Sequence, residues 1–132
     1  HDISPEENQF ESGLSFAISF KKNVDFIGKD SLNKIKKKDP KKKLVILSLK
    51  DSKPGFPLLL HDEPIYCNNK IVGRTTSGNY SFNYKKNISF GYINWDIDLS
   101  NKDIEIEVEK IKYKAVLEKQ ALHDPKNILI KN

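Results

Sequence analysis

The chain has 132 residues, enough for one packed domain and a short lead-in. No run approaches the ~18 apolar residues that a membrane-crossing helix needs, and the single cysteine, Cys67, excludes both an internal disulfide and a cysteine-built zinc cluster. The net charge of +5 invites a nucleic-acid partner, but every basic residue except Arg74 is Lys. Readers of phosphate and bases favour the arginine fork, whereas Lys, Ile and Asn share AT-rich codons, so the excess reads as codon usage. The sequence starts at His1 and holds no Met, and the expectation is a piece of a longer protein in a cytoplasmic setting.

In chain order, the lead-in turns from polar to alternating. Leu14, Phe16 and Ile18 fall on one face against Ser15, Ala17 and Ser19, which predicts a short strand between Gly13 and Gly28. Residues 30–38 predict a helix capped by Asp30 or Ser31, with Leu32 and Ile35 on one face, a basic last turn and a stop at Asp39-Pro40.

From Lys43 onward the reading is β. The nearly continuous apolar run 43–49 predicts a strand buried on both faces, followed by a loop at DSKPGFP. PIYC and KIVGR form a hairpin about Asn68-Asn69, residues that tolerate positive φ. Residues 87–95 alternate. DIEIEVEK alternates strictly, with Ile104, Ile106 and Val108 inward, and 113–119 follows after a tight link. About six strands at short spacing predict a mainly β fold, a small antiparallel Greek-key barrel or jelly roll. Its core is expected to include most of the aromatic residues. The organisation expected is a lead-in at 1–40 and a barrel domain at 41–132.

Chemistry is sparse. His61 and His123 are each followed by Asp, but no Ser stands in a strained elbow; Ser77 is the nearest candidate, and loop histidines with local hydrogen bonds are the simpler account. His61, Asp62 and Glu63 are adjacent and point different ways, so no metal set forms. The stretch Val72-Gly73-Arg74-Thr75-Thr76-Ser77-Gly78 could cradle a phosphate but lacks a P-loop layout. It predicts instead a barrel corner in which the glycines let the strand bend, Gly78 with positive φ, and the hydroxyls pair freed backbone groups. Tyr80, Phe82 and Tyr84 alternate, which keeps a free-standing barrel that binds single-stranded nucleic acid as the alternative reading. No catalytic residue and no metal ligand is assigned.

The order of segments resembles a known family. Glu11-Ser12-Gly13-Leu14-Ser15-Phe16, then Asp25-Phe26-Ile27-Gly28-Lys29, then Val72-Gly73-Arg74-Thr75-Thr76-Ser77-Gly78-Asn79-Tyr80-Ser81 and Ile88-Ser89-Phe90-Gly91-Tyr92-Ile93 are similar to the C-terminal part of the glycine cleavage T-protein (aminomethyltransferase) superfamily, in its dimethylglycine/sarcosine dehydrogenase-like branch. The resemblance implies a cloverleaf of folate-module domains that moves a one-carbon unit from a methylated amine to tetrahydrofolate. FAD is possible in an upstream domain. It implies that the catalytic Asp lies before this segment, that the fragment is inactive alone, and that its partners are the remaining folate modules and a methylated amine substrate. It also places Phe16 at the folate, at a position where Tyr or Trp is expected. Phe keeps the stacking face and lacks the polar tip.

Overall fold

The computed structural model describes residues 2–22, 24–126, 128–129 and 131. Six strands close into an antiparallel barrel: β1 (Lys42–Leu49), β2 (Pro64–Cys67), β3 (Lys70–Ser81), β4 (Lys86–Asn94), β5 (Ile104–Val108) and β6 (Ile111–Glu118). The order around the barrel is β1-β4-β3-β2-β5-β6. Strands β2, β3 and β4 are consecutive neighbours and β1 lies beside β4, which is the predicted Greek-key arrangement.

Local chemistry sets the turns. Asn68 and Asn69 take φ of 49° and 65°, as the predicted hairpin requires. Glu109 and Lys110 do the same between β5 and β6, at 50° and 68°. Strict alternation in β5 places Ile104, Ile106 and Val108 inside. The two-sided burial expected of β1 holds only for its last three residues. Leu47, Ser48 and Leu49 are buried in succession, and the Ser48 hydroxyl donates to Glu118 Oε1 at 2.5 Å.

The core is aliphatic, built on Leu47, Leu49, Leu59, Ile65, Ile93 and Ile106. This corrects the expectation of an aromatic core: among the described aromatic residues only Tyr92 is buried. A barrel of six strands encloses little width, and branched aliphatic side chains fill it. Phe82, Phe90 and Trp95 face outward.

The lead-in departs further from expectation. The predicted strand at 14–18 is a single turn of 3-10 helix, Ser15–Ala17, because Gly13 at φ 72° and a Leu14 N–H donated to Gln9 O fold the chain back on itself. The predicted helix is α1 (Lys29–Lys36). It starts earlier than expected, with Gly28 at the cap position and no side-chain cap. Asp30 then lies within the first turn, where its carboxylate favours the helix dipole.

Candidate functional site

The lead-in is fastened to the barrel by polar groups. Glu11 is 6% exposed. Its carboxylate accepts the backbone N–H of Lys41 at 3.1 Å and of Asn8 at 3.3 Å, while its own carbonyl accepts Leu44 N–H on β1. Glu7 pairs with Lys42 at 2.5 Å. The Lys42 ammonium, helped by the Ser4 hydroxyl, pulls the Glu7 carboxyl down to about 2, and Glu7 in turn raises Lys42. The Lys42 ammonium also lies 4.8 Å from the Tyr92 ring centroid. Asp2 Oδ1 accepts the hydroxyls of Thr76 and Ser77 at 2.5 and 2.7 Å, and Asp2 O accepts the Tyr92 hydroxyl at 2.9 Å.

This fastening explains the Glu-x-Gly-Leu passage. Glu11 fixes the chain to β1, Gly13 reverses it, and the next turn presents Phe16, whose side chain is 83% exposed. Beside it runs a groove of about 280 Å³ lined by Ile18, Phe20, Lys21 and Lys36, with the Lys36 ammonium 4.7 Å above the Phe20 ring. Val24 and Ile27 are exposed as well.

The glycine-hydroxyl stretch is not a bent corner but part of one long strand, β3, with a bulge between Thr75 and Ser77. Neither Gly73 nor Gly78 has positive φ. Their role is close approach. A Cβ on Gly73 would lie 1.9 Å from Tyr92 O, and one on Gly78 would lie 2.4 Å from the Leu59 side chain, which plugs the barrel. Of the three hydroxyls, only Thr75 accepts a backbone group, Glu63 N–H at 2.9 Å; it also donates to the Glu63 carboxylate. Ser77, the nearest nucleophile candidate, donates to Asp2. His61 is exposed with Nδ1 2.9 Å from Asp62, and His123 is exposed in the tail. The aromatic trio does not share a strand face: β3 ends at Ser81, so Phe82 and Tyr84 belong to the turn, and Phe82 packs edge-on against Tyr80 at 5.2 Å. Sequence reasoning missed Glu7, Glu11 and Asp2, whose partners lie far along the chain; the only signal was Glu11 within its motif.

Comparison with known proteins gives this arrangement its place. The family model for the glycine cleavage T-protein C-terminal barrel domain matches residues 42–124, the barrel and the start of the tail. The chain belongs to this family. The chain is 36% identical over 126 residues to the 4-methylaminobutanoate oxidase (formaldehyde-forming) of Paenarthrobacter nicotinovorans, covering 96% of this chain and 15% of that protein. It is 34% identical to the mitochondrial dimethylglycine dehydrogenase of Homo sapiens, covering 92% and 14%. It is also 34% identical to the aminomethyltransferase of Symbiobacterium thermophilum, covering 95% and 31%. The crystal structure of glycine cleavage system aminomethyltransferase T from Bartonella henselae superposes with a TM-score of 0.68 at 18% identity, over 92% of this chain and 33% of that one. That match shows the shared fold, and the sequence matches bear out the resemblance read from the motifs. The chain spans only 14–31% of the length of these curated relatives, so it corresponds to one part of larger proteins. Among the described residues no helix is long and apolar enough to cross a membrane.

Proposed function

We propose that the chain is the closing part of a cytoplasmic folate-dependent protein that transfers a one-carbon unit from a methylated amine to tetrahydrofolate, with Phe16 packing its ring against the pterin. In this reading residues 1–40 end the preceding folate module and 41–132 form the terminal barrel domain. The observation that carries it is the exposed Phe16 ring on a turn anchored by Glu11. An exposed aromatic face held in place costs little ordering to stack on a flat heterocycle. The flanking Lys21 and Lys36 fit an anionic substituent on such a ring. Names of the relatives support the reaction class: one transfers aminomethyl groups and two act on methylated amines.

Tetrahydrofolate, when bound, supplies the acceptor nitrogens for the one-carbon unit. The residues of this chain bind and orient it; proton transfer falls to the Asp expected upstream, and FAD, where an upstream domain carries it, supplies the oxidation. The chain alone is therefore inactive. The test is a tetrahydrofolate titration of the full-length parent with Phe16→Ala and Phe16→Tyr. Loss of the ring should weaken binding by roughly tenfold, about 1.4 kcal/mol, and Tyr should retain it. Unchanged binding in Phe16→Ala would remove Phe16 from the folate site. Turnover of sarcosine or dimethylglycine by the purified 132-residue chain would overturn the division of labour.

A further inference from the structure

A second cavity, of about 440 Å³, opens at one end of the barrel and shares no lining residue with the Phe16 groove. That volume lies in the range of small-molecule sites, ~300–1,000 Å³. Lys50, Lys53, Lys85 and Lys86 line it, against a single carboxylate, Asp51. None of these four ammonium groups belongs to any of the ion pairs formed among the described residues. Codon usage accounts for how many lysines the chain has, not for where four of them gather. Like charges brought together raise one another's electrostatic free energy, and a bound polyanion relieves it.

The remaining wall is aromatic. Phe56, 58% exposed, meets Tyr113 edge-on at a centroid distance of 6.1 Å, and Tyr84 also lines the cavity. The walls are held in place. Asn87, 2% exposed, donates from Nδ2 to Pro57 O at 2.8 Å and from its backbone N–H to the Ser52 hydroxyl at 3.0 Å, tying the 50–57 loop to β4. Lys53 and Phe56 exchange two backbone hydrogen bonds of 2.9 Å across the same loop. A fixed aromatic wall beside a cluster of unneutralised ammonium groups suits a ligand that carries a flat ring and several negative charges.

We propose that this cavity binds a nucleoside di- or triphosphate, the ring against Phe56 and Tyr113 and the phosphates among Lys50, Lys53, Lys85 and Lys86. The test titrates the 132-residue chain with ATP, ADP, adenosine and inorganic triphosphate at ~150 mM salt, read by calorimetry and by NMR shifts of the loop amides. ATP is expected to saturate and to bind about tenfold tighter than either triphosphate or adenosine, since each half of the ligand supplies part of the affinity. The double variant Lys53→Glu/Lys85→Glu, at exposed positions, should weaken ATP by tenfold or more. Phe56→Ala should bring ATP down to the affinity of triphosphate. Melting curves establish that each variant is folded, and Lys53→Gln/Lys85→Gln stands in should the charge reversal unfold. Phe16→Ala should leave ATP binding unchanged, so failure here is distinguishable from failure of the folate reading. The proposal is overturned by no saturation at millimolar ATP, by triphosphate binding as tightly as ATP, by insensitivity to the lysine variants, or by a single-stranded oligonucleotide that outcompetes ATP at the same residues.

Discussion

The barrel and its lead-in are built on opposite economies of surface. From β1 to β6 an aliphatic core points inward, and Leu47, Leu49, Ile65 and Ile106 lose all solvent contact. In residues 2–41 the buried side chains are polar, Glu11 and Ser12, while Phe16, Val24 and Ile27 lie in the open. Burial of apolar area therefore stabilises the barrel. Directional hydrogen bonds and an ion pair hold the lead-in, and Phe16, Val24 and Ile27 contribute little apolar burial to it. One chain thus holds a region fixed by apolar burial beside a region fixed by polar contacts.

The largest effect that tests this contrast lies in the barrel. Gly73→Ala forces a Cβ against Tyr92 O and should lower stability by about 4 kcal/mol, read by urea melts. A loss below ~1 kcal/mol would show that the β3–β4 contact relaxes easily and that the barrel is less rigid than its packing implies. Next is Glu11→Ala, which strips the buried carboxylate that accepts the Asn8 and Lys41 N–H groups and should cost about 2 kcal/mol. Limited proteolysis should then cut within residues 2–40 while the barrel core stays resistant; simultaneous loss of both would merge the two regions into one cooperative unit.

A pH series sharpens the same boundary. The Glu7 carboxyl is depressed from 4.5 to about 2 by Lys42, so its contribution is complete above pH 4.5 and disappears as pH falls through 2. Amide exchange in residues 2–12 should rise over that interval relative to β5 and β6 once intrinsic rates are removed, and Glu7→Gln should abolish the dependence. Smallest of all is Phe16→Ala in the isolated chain. A ring that is 83% exposed should change the melting free energy by less than ~0.5 kcal/mol. A larger loss would mean that Phe16 packs on its own barrel.

Much of the barrel was legible because its signals are local. Alternation in Ile104–Val108 fixes which side faces in, and two asparagines tolerate the φ values of the β2–β3 turn. Alternation at 14–18 spans too few residues to separate a strand from a turn that exposes one ring, and the reversal at Gly13 decides it. Gly73 and Gly78 were recognised as structural, but for the wrong reason: what they avoid lies on Tyr92 and Leu59, outside their own segment. The fastening of Asp2, Glu7 and Glu11 left little trace for the same reason, since its partners on the barrel stand 30 to 90 positions away. The lysine-lined cavity likewise assembles from three separate stretches of chain.

The long reach of Asp2 also sets an order of events. Its acceptors meet Thr76, Ser77 and Tyr92, at sequence separations of 74, 75 and 90. Closing so long a loop is entropically slow and gains nothing until β3 and β4 stand side by side. The Asp2 contacts should therefore form only after β3 and β4 have paired. Until that docking the barrel rests on its aliphatic core alone.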